Sequence, residues 1–304
     1  MMVLLPRDAD KTIRTIKFRD VITRLYDLGY SEIALVHQIH GKPPALSADQ
    51  VFKPYEALIR EFMKGRASRI KTYRRLHAVV ENISDMSYFS NLDSTTFNTF
   101  DIISLSASNE EIFQSICCSN SADIITLDYT KGGLPFPLRS NYVQAALQRN
   151  IAMEILYSPS IHHISHRKSL IQTVQAVENA SRGNKLKVIV SSGGDLSTFR
   201  IPGDVSNFLS VLAGLHPKKS YACQRENASW VLAESRRRRA GCNMVYDIIS
   251  VSVQNEVNKN AENLNVTDKL IKLNNQEIEK ESTSAIGDDY MAEKYNVEDG
   301  FIQF

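Results

Sequence analysis

The chain has 304 residues, 43% of them hydrophobic, enough for one large α/β domain or two smaller ones. Its four cysteines (Cys117, Cys118, Cys223 and Cys242) lack CxxC spacing and point to a reducing intracellular compartment. No run approaches the roughly 18 apolar residues needed to cross a bilayer. The formal charge of +2 conceals an asymmetry: residues 255–304 hold 11 acidic and 5 basic side chains, leaving 31 basic against 23 acidic before them, a basic body and an acidic tail. Such a modest excess suits a phosphate-meeting patch better than nonspecific coating of nucleic acid.

In chain order, residues 2–5 (MVLL) form a frayed candidate strand that breaks at Pro6-Arg7-Asp8, so no secretory signal is expected and the sequons at Asn82, Asn179, Asn227 and Asn265 are expected to stay unmodified. Short apolar runs follow at 33–36, 76–80, 102–105, 124–127, 153–156 and 188–190, with helical material between them. Strands so short and so continuously apolar are buried on both faces, which requires a parallel sheet covered by helices. About seven βα units exceed what a doubly wound sheet needs and favour a barrel of the (β/α)8 type, although no eighth strand is evident.

Helix signals agree. Ser108-Asn-Glu-Glu111 has the spacing of a capping box ahead of Ile112 and Phe113, and Asn227 is placed to cap a helix over 228–239. Pro135, Pro137 and Gly132-Gly133 mark a long loop before a helix around 142–146. Leu170, Ile171, Val174 and Val177 share one face of the helix between the last two strands. Beyond about Val253 the periodicity gives way to Asn, Glu and Lys. The expected organisation is a TIM-like barrel over 1–253 and a disordered acidic tail over 254–304, in which 266–273 is a short amphipathic piece.

The loops after the last two strands read YSPSI (157–161) and SSGGD (191–195), and in parallel α/β sheets such loops form the functional rim. Ser191, Ser192, Gly193 and Gly194 fit either a phosphate-binding loop, since glycines let backbone N–H groups approach an anion, or a plain turn needing positive φ. The basic candidates for phosphate are Arg167 and Arg200, which flank the rim motifs, then Lys168, Arg182, Lys185, Lys187 and Arg225. Lys71, Arg74 and Arg75 stand in RIKTYRRL, and the run Arg236, Arg237, Arg238 and Arg239 ends a helix. That run fits phosphate contact, a nuclear-import signal or a charged helix terminus equally well.

LYSPSI, VIVSSGGD and FRIPGDVSNFLSVLAGL, in this order, resemble the thirty-kilodalton protein subunit family of eukaryotic ribonuclease P and ribonuclease MRP. The likeness extends over 100–251 and, more loosely, over 12–99. The first strand lacks the family's acidic character, and its RGPYD-like turn reads FRIPGD here. The resemblance implies kinship with the polymerase-and-histidinol-phosphatase barrel superfamily. It also implies a noncatalytic role in a nuclear, and nucleolar, ribonucleoprotein that matures the 5′ end of precursor tRNA and processes rRNA. The implied partners are a catalytic noncoding RNA, precursor tRNA and other protein subunits, with no membrane. Catalytic Mg²⁺ would be held by the RNA, with no cofactor or metal on this chain.

The alternative reading is a metal-dependent phosphoesterase on the same barrel, using His37, His162 or His166 with Asp128 or Asp195. Against it, no His-x-His pair occurs, and His162, His163 and His166 lack an acidic third ligand at a recognised spacing. There is also no GxSxG elbow, P-loop or GxGxxG, and Cys117 and Cys118 are explained by a helix face.

Overall fold

A computed structural model describes residues 2–4, 11–42, 47–66, 69–89, 95–119, 122–182, 186–194 and 196–240. The expected acidic tail and its amphipathic piece lie outside these residues, as do Lys185 and Asp195.

Seven strands appear where the apolar runs predict them: β1 (Met2–Leu4), β2 (Glu32–His40), β3 (Lys71–Val80), β4 (Ile102–Ala107), β5 (Ile124–Leu127), β6 (Ala152–Leu156) and β7 (Val188–Ser191). Each pairs in parallel with the next, in sequence order. Among the described residues no eighth strand joins β7 to β1. The helices are α1 (Lys11–Asp27), α2 (Ala48–Phe62), α3 (Met86–Phe89), α4 (Thr95–Asn98), α5 (Glu110–Cys118), α6 (Ser140–Gln148), α7 (Ser158–His162), α8 (Ile164–Ser181), α9 (Pro202–Ala213), α10 (Pro217–Gln224) and α11 (Glu226–Ala240). The result is a curled parallel sheet covered by helices, consistent with the expected TIM-like barrel.

Strand parity divides the side chains between two layers. Leu35, Leu76, Leu105, Ile125 and Met153 point outward under the helices, where Phe18, Phe52, Phe113, Leu170 and Val174 complete the main core. Fully burying each such side chain stabilises the fold by about 1.5–3 kcal/mol. Register pairs Ile124 with both Ser104 and Ala152, and Glu154 with Ile189, so these residues share the inner face.

Two capping expectations are corrected. Asn109, not Ser108, caps α5: its side chain accepts from the Ile112 amide at 2.9 Å, while Ser108 Oγ donates to the Glu81 carbonyl at 3.3 Å. Asn109 stands immediately before the first helical residue, one position closer to the free N–H groups than Ser108, which is where an N-cap acts. Asn227 lies inside α11 rather than before it, and its Nδ2 donates to the Val188 carbonyl at 2.7 Å.

Candidate functional site

The barrel interior is layered. At the N-terminal ends of the strands, Tyr73, Ile102, Ile124, Ala152 and Ile189 form an apolar floor, closed from below by Val231 of α11. Helix α11 is stapled across this mouth. Asn227 ties it to β7, and Arg238 clamps Asp123, just before β5, through Nε–Oδ1 at 2.9 Å and Nη2–Oδ2 at 3.1 Å. Arg239 reaches Asp101, just before β4, at 2.6 Å. Both carboxylates also accept a strand-entry amide, Asp101 from Arg74 and Asp123 from Ile103, each at 2.8 Å.

Above the floor lies a polar layer that satisfies itself. Arg75 on β3 donates from Nη1 to Glu154 Oε1 on β6 at 2.7 Å and from Nη2 to Oε2, and from Nε to Ser104 Oγ at 2.8 Å. Thr126 and Ser191 hydroxyls each donate to Glu154 at 2.7 Å. In a flat sheet three strand spacings of about 4.8 Å would hold β3 and β6 too far apart for this contact, so the pair depends on the curl. Burial alone would raise the Glu154 carboxyl, yet the Arg75 charge and the surrounding donors hold it below the ordinary carboxylate range. His77, next along the inner face of β3, has Nδ1 3.0 Å from Ser104 Oγ; burial, then the Arg75 charge, push it down to about 4 and keep it neutral.

This layer corrects the reading of Arg74 and Arg75 in RIKTYRRL as phosphate contacts. Arg75 is 2% exposed and spent on Glu154. Arg74 points the other way and pairs with Glu56 at 2.6 Å and with Asp49, both on α2. Arg238 and Arg239 are likewise committed to carboxylates of the barrel base. Only Arg236 and Arg237 of that run are exposed, and Arg237 pairs with Glu234.

The remaining candidates are not gathered into one patch. Arg167 and Lys168 stand in the first turns of α8, on the rim after β6, where Arg167 Nε donates to the Ser160 carbonyl at 3.3 Å and Lys168 is exposed. Arg182 ends α8 in the left-handed region, φ 51, and Arg225 joins α10 to α11, so both lie toward the opposite end. Lys187 leads into β7 at that end, its Nζ 5.8 Å from the Trp230 ring centre. Arg200 is threaded into the seam between β7 and the start of β2. Its carbonyl accepts from Tyr30 Oη at 2.8 Å, its amide donates to Tyr157 Oη at 3.3 Å, and its guanidinium donates to the carbonyls of Ser197 and Phe199.

The two rim loops are zipped together: the Ser191 and Ser192 carbonyls accept from the amides of Tyr157 (3.0 Å) and Ser158 (3.1 Å). Gly193 adopts φ +63, and a Cβ there would come within 2.7 Å of Leu156 Cδ1; a Cβ on Gly194 would overlap Ser158 and reach 2.9 Å from Thr198 Oγ1. Turn geometry and close packing therefore account for both glycines.

For metal chemistry the histidines do assemble, His163 lying 5.0 Å from His166 and 6.5 Å from His162, ring centre to ring centre. No acidic partner joins them: among the described residues no three His, Cys, Asp or Glu side chains are grouped to hold a metal ion. Asp128 accepts from the amide and hydroxyl of Thr130, and His37 lies on the opposite strand face from the interior, in register with Leu76. No described helix is long and apolar enough to cross a membrane.

Comparison with known proteins identifies this architecture. The family model described as RNase P subunit p30 matches residues 9–240, which take in strands β2 to β7 and the closing helix α11. The chain belongs to that family. It is 27% identical over 227 residues to the probable ribonuclease P protein subunit 3 of Schizosaccharomyces pombe, covering 75% of this chain and 90% of the relative. It is 24% identical over 258 residues to the ribonuclease P protein subunit drpp30 of Dictyostelium discoideum, covering 81% and 68%. Its fold matches a chain in the structure of archaeal ribonuclease P with mature tRNA, with a TM-score of 0.55, 11% identity and coverage of 77% and 91%.

Proposed function

We propose that the chain works as a noncatalytic protein subunit of ribonuclease P, and also of ribonuclease MRP, supporting RNA-catalysed 5′ maturation of precursor tRNA. The observation that carries this reading is the family match over 9–240, which spans the described barrel from α1 to α11 rather than a local motif. Inside the barrel, below the C-terminal rim, Arg75, Glu154, Thr126, Ser104 and Ser191 saturate one another, so this polar layer is accounted for by structure. The phosphoesterase alternative is not favoured, given the family, and among the described residues no acidic ligand joins the histidine cluster.

In this reading the chemistry belongs to a catalytic RNA and its bound Mg²⁺, and the protein contributes positive charge and shape. Each arginine or lysine laid on a phosphate relieves repulsion between RNA segments and helps hold the fold that positions the metal. Arg167, Lys168, Arg182, Arg200, Arg225 and Arg236 are the contacts proposed among the described candidates. Other protein subunits would cover much of the remaining surface. Nuclear function follows from kinship with eukaryotic ribonuclease P subunits, and concentration in the nucleolus is part of the proposal.

Purification of the tagged chain from its own cells, followed by sequencing of the RNA that stays bound through stringent washing, tests the reading. The expected outcome is one or two abundant structured noncoding RNAs, with 5′-extended precursor tRNA accumulating when the chain is depleted. Recovery of no such RNA overturns it.

A further inference from the structure

A second basic feature lies apart from every rim motif. The end of α2 and the entry to β3 enclose a cleft of about 630 Å³ whose lining includes Arg60, Lys64, Arg66 and Arg69. Its single carboxylate, Glu56, is already bound by Arg74 through two contacts of 2.6 and 3.0 Å. Among the described residues none of Arg60, Lys64, Arg66 and Arg69 forms an ion pair, and all four are exposed. Arg66 is pre-set: its guanidinium lies 3.6 Å from the Phe62 ring centre and 5.6 Å from that of Tyr26, and it donates to the Phe62 carbonyl. Gly65, at φ +77, supplies the chain reversal that folds Arg66 back onto the helix.

One basic residue beside a helix C-terminus is explained by the helix dipole. Four around one cleft, with the local acid neutralised from behind by Arg74, raise the local positive potential and favour an external anion. A protein partner would call for an apolar anchor, and none of the exposed large hydrophobic side chains belongs to this cleft. Arginine forks on an open polar surface match phosphate oxygens.

We infer that this α2–β3 cleft is a phosphate-backbone site for RNA, at the end of the barrel opposite the strand-terminal loops. The inference rests on the RNA-subunit reading and adds to it a location that none of the rim motifs supplies. Binding here presents the N-terminal mouth of the barrel to RNA and leaves the rim to other contacts.

The test is the salt dependence of RNA association, measured on the ribonuclease P holoenzyme reconstituted from its RNA transcript and protein subunits, with wild-type chain and with the triple variant Arg60→Ala, Lys64→Ala, Arg69→Ala. Arg66 is left in place because it packs on Phe62. Each lost phosphate contact lowers the slope of log affinity against log salt by about 0.7–0.9, so the triple variant is expected to lose about 2 in slope and at least tenfold in affinity near 0.1 M salt. A variant carrying Arg60→Lys and Arg69→Lys keeps the slope. Thermal unfolding of the triple variant should match that of the wild type, since the replaced side chains are exposed. An unchanged slope in a folded triple variant overturns the cleft while leaving the subunit reading intact. Loss of binding to a partner subunit without RNA, with the RNA slope unchanged, overturns it in favour of a protein partner. Failure of the wild-type chain itself to join the RNA overturns the subunit reading, and the cleft with it.

Discussion

Arg75 on β3 and Glu154 on β6, 79 residues apart in the chain, form a buried ion pair across the inside of the barrel. Their side chains are 2% and 0% exposed, so neither charge can turn to water if the other is removed. Replacing Glu154→Gln or Arg75→Met should each destabilise the chain by about 3–5 kcal/mol, because a lone buried charge costs more than the pair returns. The double variant should lose less than the sum of the two. Urea unfolding of all four proteins checks this, and strict additivity would show that the two side chains act independently.

Acid should weaken the fold in two stages. His77 sits in the folded chain at about 4, below its ordinary 6.5, so the unfolded chain takes up the proton first and stability falls as pH drops from about 6.5 to 4. The loss is on the order of 3 kcal/mol at most. Glu154 is also depressed, so its contribution is present above an ordinary carboxyl value near 4.5 and is lost as pH falls toward about 2. In unfolding midpoints measured against pH, His77→Gln should flatten the upper stage and leave the lower one. Persistence of the upper stage would assign it to another group.

The arginine run should divide by function. Arg238 and Asp123 have side chains 12% and 6% exposed, and Arg238→Ala should cost about 2–4 kcal/mol by stranding that carboxylate. Arg236→Ala, at an exposed position of the same helix, should change stability by no more than about 0.5 kcal/mol. Thermal or urea unfolding of the two single variants decides it. Equal effects would mean that the clamp contributes nothing.

Two glycines make a paired test of the rim. Gly194→Ala should destabilise by about 2 kcal/mol or more, since the new methyl group would meet Ser158 and Thr198, whose hydroxyls lie 2.5 Å apart. Gly203→Ala, in the first turn of α9 with nothing within 4 Å of the added carbon, should be neutral or stabilising by up to about 1 kcal/mol. Comparison of the two unfolding midpoints is sufficient.

The strands were legible because apolar runs buried on both faces leave a direct trace in the sequence; all seven appear, with β2 and β3 longer than their apolar cores suggest. The interior pair was not read, although a signal existed. Glu154 is a lone carboxylate in the doubly buried strand AMEIL, and a charge there requires a buried partner. Parity in RIKTYRRL distinguishes Arg74 from Arg75, but parity alone does not say which face is the inside until the curl is known. Asp101 and Asp123, each just before a strand, similarly held the destination of Arg239 and Arg238, a relation that depends on where α11 crosses the base. The α2–β3 cleft was missed because its basic residues are divided between a helix end and a strand entry, so that only Arg69 falls within RIKTYRRL.

Because α11 is both the last described helix and the lid of the apolar floor, the order of synthesis matters. A ribosome that has delivered residues up to β7 has produced the walls of the barrel with Tyr73, Ile102, Ile124 and Ile189 still facing water. The nascent chain must wait for Asn227, Val231, Arg238 and Arg239 before its base can seal. A premature stop codon ahead of residue 240 would therefore release an unsealed, aggregation-prone product rather than a shortened but competent one.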